Sequence, residues 1–394
     1  MVGMEINEEL NGCIENMNTT TLNDIITIKK GKKPKIQSEH QQQGFMPYVD
    51  IAAFETGRIK MYTDGEKCLP CNNGDLLIVC DGSRSGLIGK AIKGYVGSTL
   101  ARIDVDETVS KDYLYYFIQG KYSLLNTNVK GTGTPHVNQE LLKSFEIPVP
   151  PLPEQERIVA RIEELFSELD KAVETLKKTK EQLSVYRQAV LKEAFEKCDK
   201  IVTVDSVCQY VTDGDHMPPP KSISGIPFIM ISNIKNNRIV WGNTAFVNQD
   251  YYNEIDSKRK PKIGDVLYTV TGSFGIPIII DFDKEFCFQR HIALLRPNEL
   301  INQKFLYYAM QSPQVYEQAS KKATGTAQKT VGLGVLRKIE VPFIESIDLQ
   351  KKIVFELESR LSVCDSIEKT IDTALQESEA MRQSILKKAF EGEI

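Results

Sequence analysis

The chain has 394 residues, 41% hydrophobic and 26% charged, with a formal net charge of −4. That length accommodates two or three domains, each with its own core, and no apolar run approaches the roughly 18 residues of a membrane span. The first residues lack the basic-then-apolar order of a secretory signal, and the eight cysteines are scattered in the manner of reduced thiols, so a cytoplasmic protein is expected. The slightly acidic total argues mildly against a nucleic-acid partner, but steering depends on local fields rather than on the sum.

Along the first half, Lys29, Lys30, Lys32, Lys33 and Lys35 surround Gly31 and Pro34. Such a run is either a phosphate footprint or a solvated lysine-rich loop. Met46-Pro47-Tyr48-Val49-Asp50-Ile51 reads as a short strand after a turn. Cys68-Leu69-Pro70-Cys71 is a lone pair without a second Cys or His pair at zinc spacing, and reads as a turn with two thiols. Gly74-Asp75 feeds the apolar strand Leu76–Val79. In Gly82-Ser83-Arg84-Ser85-Gly86 the small neighbours Ser83 and Ser85 would let the Arg84 fork approach guanine or phosphate closely. The same stretch, run on to Lys90, is not a nucleotide-phosphate loop: Arg84 stands where the first Gly is needed, and Ala91 where Ser or Thr is. Tyr113-Leu114-Tyr115-Tyr116 opens a short amphipathic helix. Lys130, Thr132, Thr134 and His136 crowd a Gly-rich loop whose amides and hydroxyls suit phosphate contacts; an ordinary tight turn explains it equally well. Glu146-Ile147-Pro148 leaves the globular part.

Pro150, Pro151 and Pro153 then precede a helical pattern, at positions where a missing N–H is harmless. Glu154 to Cys198 contains no Gly or Pro, and Ile158, Ile162, Leu165, Leu169, Ala172, Leu176, Leu183 and Val190 follow 3,4 spacing. At 1.5 Å per residue the helix is roughly 65 Å long.

The second half repeats this order. Ile226–Ile231 matches Met46–Ile51, Gly264-Asp265 matches Gly74-Asp75, and Thr271–Gly275, with Ser273, matches Gly82–Gly86. Phe305-Leu306-Tyr307-Tyr308 matches the Tyr113 stretch, and Thr324-Gly325-Thr326 matches Thr132-Gly133-Thr134. Lys321, Lys322, Thr324, Thr326, Gln328 and Lys329 are the phosphate-contact candidates of this half, and Gln289-Arg290-His291 adds candidates for base contacts. The second long helix runs from about Asp348 to Glu391 before Gly392, with Ile353, Leu357, Cys364, Ile371, Met381 and Ile385 as its seam; Leu375 and Leu183 also suit such a seam. Residues 1–20 have no match in the second half.

Both helices end on one phrase: Arg187-Gln188-Ala189-Val190-Leu191-Lys192-Glu193-Ala194-Phe195-Glu196 returns about 195 positions later as Arg382-Gln383-Ser384-Ile385-Leu386-Lys387-Lys388-Ala389-Phe390-Glu391. Leu191 and Phe195, with Leu386 and Phe390, either extend the seam inside the chain or grip partner helices. A stripe this long needs a partner. The repeat favours the chain's other helix, paired antiparallel, over oligomerisation through two independent helices.

This combination resembles the specificity subunit of Type I restriction–modification systems: module, Thr-Gly-Thr loop, Ile147–Gln155 (Ile-Pro-Val-Pro-Pro-Leu-Pro-Glu-Gln), a long helix ending Leu-Lys-x-Ala-Phe-Glu, then all of it again. The resemblance covers nearly everything after about Thr21. The second copy departs from it at Val341–Gln350, where Phe343-Ile344-Glu345-Ser346 replaces Pro-Pro-Leu, so the sequence leaves open the angle at which its helix departs.

The resemblance implies an α+β fold of two similar target-recognition domains joined by two long helices in an antiparallel coiled coil. The corresponding boundaries are 1–153, 154–198, 199–346 and 347–394. It implies that each domain reads one half of a bipartite asymmetric site in double-stranded DNA, that the helices set the unread spacer, and that they dock two DNA methyltransferase subunits, to which motor–nuclease subunits add. The subunit itself is expected to be non-catalytic and to hold no cofactor or metal, since S-adenosylmethionine, ATP and magnesium belong to the partners. The residues agree: there is no Asn/Asp-Pro-Pro-Tyr/Phe motif, and His40, His136, His216 and His291 show no ligand spacing. Two other readings remain: a coiled-coil scaffold with protein- or glycan-binding heads, and the recognition half of a fused restriction–methylation enzyme.

Overall fold

A computed structural model describes residues 19–131, 133–216, 219–326 and 328–394. Two compact units emerge: one runs up to Leu176 and takes back Thr373–Ile394, the other is Lys177–Asp372. Each contains one globular head, the start of the long helix that follows that head, and the end of the other long helix. The long helices are Leu152–Phe195 and Ile347–Glu391.

In the first head, Ile26–Lys30, Leu100–Val105, Leu76–Val79 and Ile88–Lys90 form an antiparallel four-stranded sheet in that spatial order. A second sheet orders Tyr62–Thr63, Met46–Val49, Gly94–Val96 and Pro70–Cys71. Its central pair is parallel, with Tyr48 opposite Tyr95 and Val49 opposite Val96. The second head repeats both. Cys208–Asp213, Ile292–Pro297, Val266–Thr269 and Pro277–Ile279 form the antiparallel sheet. Ala245–Val247, Ile226–Ile229 and Cys287–Phe288 form the other, again with a parallel pair. The Gly-Asp turns that feed the central strands are alike in detail. Gly74 and Gly264 have φ +83° and +94°, where a Cβ would be strained. The Asp75 and Asp265 carboxylates each accept a bond from the N–H three residues back, Asn72 and Lys262.

Thr19–Thr21 pairs antiparallel with Glu146–Pro148, as Lys200–Thr203 pairs with Glu340–Phe343. The first head therefore has the lead-in strand that sequence matching misses, while residues 1–18 lie outside the described ones. The Cys68–Cys71 pair diverges. Cys71 is buried with its Sγ 3.4 Å from the Ile92 carbonyl, and burial pushes its thiol up to about 11. Cys68 faces the Glu66 and Lys32 carbonyls. Among the described residues no group of three or more His, Cys, Asp or Glu could hold a metal.

The helix segments pair antiparallel within each unit. In the second unit the positions 180, 187, 193 and 197 bond 372, 365, 360 and 356: Lys180–Asp372 2.6 Å, Arg187–Asp365 2.5 Å, Glu193–Arg360 2.9 Å and Lys197–Glu356 2.8 Å. In the first, Arg382 pairs with Asp170 and lays its guanidinium 4.8 Å from the Phe166 ring centre. Two seam positions are corrected. Met381 is 52% exposed, its neighbour Arg382 being the residue that lies over Phe166, and Ala172 is exposed while its neighbour Val173 is half-buried.

A buried glutamine fixes each helix start. Gln155 and Gln350 are both 0% exposed. The Gln155 Oε1 accepts from Ser110 N–H at 2.8 Å, and its Nε2 donates to the Thr108 and Pro150 carbonyls at 2.9 and 2.8 Å. The Gln350 Oε1 accepts from Asn302 N–H at 2.7 Å, and its Nε2 donates to the Leu300 and Ile344 carbonyls at 3.0 and 2.7 Å. The second helix thus leaves its head through the same clamp without the Pro-Pro-Leu segment.

The repeated phrase is core. Leu191 (2% exposed) and Phe195 (3%) sit in the second head's core, where Phe195 meets Phe305 edge-on at 5.3 Å. Leu386 is buried in the first head's core, and Phe390 packs on Tyr113 and Phe117 at 5.0 and 5.1 Å. Of the two alternatives for these residues, burial inside their own unit holds for Leu191, Phe195 and Leu386, which corrects the reading that they grip a partner subunit, while Phe390 packs on the same core and stays partly exposed.

Candidate nucleic-acid interface

Four loops meet at one edge of each head. They are the segment after the first sheet strand (from Gly31 or Gly214), the turn after the short parallel strand (Gly97–Thr99 or Gln289–His291), the loop after the central strand (Asp81–Gly86 or Thr271–Gly275), and a hairpin (Lys130–His136 or Thr324–Thr330). The backbone ties them in the same way twice. Gly31 N–H donates to Leu100 O and Gly214 N–H to Ile292 O. Cys80 N–H donates to Thr99 O and Val270 N–H to His291 O, while Gly82 N–H donates to Pro135 O and Gly272 N–H to Lys329 O. Gly31 and Gly214 cannot carry a Cβ, which would lie 2.2 Å from Gly97 O and 1.9 Å from Phe288 O. Buried backbone groups need such partners, so these loops stand on a shared hydrogen-bonded frame and differ in side chains and, between Gly82–Gly86 and Gly272–Gly275, by one residue in length.

This frame corrects the hairpin alignment. Lys130 and His136 exchange both backbone bonds, as do Thr324 and Thr330, so Lys130-Gly131 corresponds to Thr324-Gly325. The left-handed glycines are Gly131 (φ +95°) and Gly325 (φ +110°). The sequence match of Thr132-Gly133-Thr134 to Thr324-Gly325-Thr326 is out of register by two.

In the first head, Lys30 and His136 both meet Asp81, at 2.8 and 2.7 Å. Burial works to raise the Asp81 carboxyl, but these two hydrogen bonds prevail and hold it below the usual carboxylate range. Lys29 pairs with Asp104 at 2.7 Å, Lys130 with Glu140 at 2.6 Å, and Arg84 with Glu55. Lys32, Lys33 and Lys35 are exposed and carry no ion pair among the described residues. Ser83 is exposed, and its carbonyl takes a bond from Asn126. Ser85 is a correction. It is 0% exposed, and its hydroxyl sits among three carbonyls that its one proton can reach, Gly82 at 2.8 Å and Cys80 and Pro135 at 3.1 Å, so it braces the loop from inside and has no face for DNA. Thr134 is exposed, and Thr132 lies outside the described residues.

In the second head Lys32 and Lys33 give way to Asp215 and His216. His216 pairs with Asp213 at 2.9 Å, and Tyr251 Oη donates to Asp215 at 2.8 Å. Burial first, and then Asp215, push the Tyr251 phenol well above its ordinary range. Arg290 is exposed without an ion pair among the described residues. Gln289, Arg290 and His291 line a cleft of about 750 Å³, and Arg290 and His291 also line a neighbouring hollow of about 390 Å³ that reaches Gln328. Ser273, Lys322, Thr324, Thr326 and Lys329 are exposed on the loops alongside. Lys321 is turned back to Glu317 at 2.6 Å. The sequence also contained Lys221, Asn243 and Thr244, which line the larger cleft. They come from segments with no motif to mark them.

The family profile described as Type I restriction modification DNA specificity domain matches residues 14–184 and again 200–377. The chain belongs to this family. The specificity-family relatives include the Type I restriction enzyme MjaVIII specificity subunit of Methanocaldococcus jannaschii, 26% identical over 88% of this chain and 86% of that one. The EcoBI specificity subunit of Escherichia coli is 24% identical over 95% and 85%. Among solved structures, a chain described under complex assembly and conformational transition of the type I R-M system has a TM-score of 0.73 at 19% identity, covering 96% of this chain and 98% of that one. The HsdS subunit from Thermoanaerobacter tengcongensis has 0.53 at 19% over 96% and 97%. These likenesses show a shared fold of two heads and two long helices. No helix among the described residues is long and apolar enough to cross a membrane.

Proposed function

We propose that this specificity subunit reads a bipartite, asymmetric site in double-stranded DNA, one half with each head, inside a cytoplasmic prokaryotic complex. The observation that carries the proposal is the duplicated loop edge: one hydrogen-bonded frame, made twice, with different side chains at corresponding places. Lys32 answers Asp215, Arg84 answers Phe274, and Ser98 answers Arg290. A common frame with different edges suits two half-sites of different sequence, because base edges in the major groove are told apart by donor and acceptor patterns.

In this reading residues 1–153 and 199–346 are the target-recognition domains, and 154–198 and 347–394 are the helices that fix the spacer and dock two methyltransferase subunits. Methyl transfer, ATP hydrolysis and cleavage, with their cofactors, belong to the methyltransferase and motor–nuclease partners. Exposed Lys32, Lys33, Lys35, Lys322 and Lys329 contact phosphates, and Gln289–His291 faces bases.

The test is selection of bound duplexes from a randomised library by the chain assembled with its methyltransferase subunits. Two short specified blocks around an unspecified spacer are expected, with affinity falling steeply as salt rises. Adding one helical turn upstream of Arg187 should change the accepted spacer and leave both blocks alone. Binding that is indifferent to DNA sequence and salt would instead support a scaffold with protein- or glycan-binding heads.

A further inference from the structure

The two clefts of the second head share a wall. His216, Arg290 and His291 line both, so these side chains form a ridge between two hollows. The larger hollow is also lined by Lys221, Ser222, Asn243 and Thr244. The smaller offers Thr271, Gln328 and Thr330. The linings mix these polar groups with the carboxylates of Asp215 and Asp213 and with apolar Phe228, Met230 and Phe246, so the exposed cation stands on the ridge between the hollows.

The ridge is held from below. Gln289 N–H donates to Ile229 O at 3.1 Å, Arg290 N–H to Asp215 O at 2.9 Å, and Ile292 N–H to Gln289 O at 3.1 Å. The Arg290 side chain is exposed and, among the described residues, has no carboxylate partner. Its fork is therefore available, on a backbone that does not need to move. The first head differs at the corresponding place. Ser98 occupies the place of Arg290, and its N–H donates to the Tyr48 phenol at 2.9 Å. Phe228 takes the place of Tyr48 on the corresponding strand and cannot make that bond.

Building on the DNA-reading assignment above, we infer that the second head reads its half-site by placing the Gln289–His291 ridge in the major groove, with Arg290 donating both arms of its guanidinium to O6 and N7 of one guanine. Arg290 is a specificity-determining residue of the second half-site alone, and Lys329, in the loop beside it, contacts phosphate.

The test uses the full chain with its methyltransferase subunits and a panel of duplexes varied one pair at a time. The block read by the second head is the one that persists when residues 1–153 are exchanged for another first head. Arg290→Ala should lose between about five- and 150-fold in discrimination at a single G·C pair of that block, and leave the other block unchanged. Arg290→Gln, which offers an amide, should shift preference at that pair from guanine towards adenine. Lys329→Ala should weaken all duplexes alike and lower the salt slope by about one. The inference is overturned if Arg290→Ala behaves like Lys329→Ala, if both Arg290 variants keep the guanine, or if the change falls in the first block. If the unaltered chain selects no bipartite site, the DNA-reading assignment fails first and takes this inference with it.

Discussion

Gln155→Ala should destabilise the first unit by about 3–5 kcal/mol. The side chain is fully buried and makes three bonds of 2.8–2.9 Å, all to backbone groups. Each neutral bond contributes about 1 kcal/mol net, and a buried backbone group left without a partner costs about 1–3 kcal/mol. Ser110 N–H and the Thr108 and Pro150 carbonyls would all be stranded near the junction of head and helix, against a total stability of order 5–15 kcal/mol. Gln350→Ala should do the same to the second unit, because its three bonds go to equivalent places. Gln155→Glu keeps the acceptor for Ser110 but sets a carboxylate oxygen against two carbonyls. Burial and those carbonyls would raise its folded pKa, so its penalty should be full at pH 7 and shrink as pH falls and the acid regains a donor. Urea titration followed by circular dichroism gives the magnitude, and hydrogen exchange gives the place. Protection should fall first around Lys111–Gly120 for the Gln155 variants and around Gln303–Gln311 for Gln350→Ala. A shift below about 1 kcal/mol, or equal loss of protection in both units, would refute the clamp.

Other consequences follow from the same geometry. Asp265→Asn breaks a pair whose side chains are 3% and 12% exposed, with Arg296 donating twice, at 2.6 and 2.9 Å; a loss of about 3–5 kcal/mol is expected in urea titration. Phe195→Ala should destabilise the isolated chain by about 3–5 kcal/mol with no partner present, which separates a core role from a docking role. Asp81 titrates below its ordinary value when folded, so its contribution is complete above the unfolded value near pH 4 and is lost as pH falls through the folded one. Asp81→Asn should therefore flatten part of the acid limb of the stability–pH curve below about pH 4.

Much of the architecture is written in local chemistry. Prolines ahead of position 154 and an unbroken run without Gly or Pro define the first helix, and a Gly-Asp turn marks each central strand. What fails is whatever depends on the far side of a residue. Ser85 in a Gly-rich loop has the same sequence signature whether it faces solvent or three carbonyls. Leu191, Ala194 and Phe195 announce an apolar face but not what covers it. The angle of the second helix is left open by Val341–Gln350 because the Pro-Pro-Leu segment is replaced there, whereas the clamp residue that sets it, Gln350, closes that segment without a motif to mark it. The hairpin register slips because Thr-Gly-Thr recurs in both halves, whereas the backbone frame is set by Gly131 and Gly325. The parallel pairing of Met46–Val49 with Gly94–Val96 joins segments too far apart for periodicity to link. Arg290 drew notice as a candidate for base contact; its place between two hollows comes from segments around 215, 243 and 328 that carry no common motif.

The most direct test of two independent reading heads is exchange of residues 1–153 for the corresponding head of another specificity subunit, with the recognised sequence mapped before and after in the complex with methyltransferase. One block of the site should change, while the other block and the spacer stay as they were. A change in both blocks, or in neither, would contradict the account.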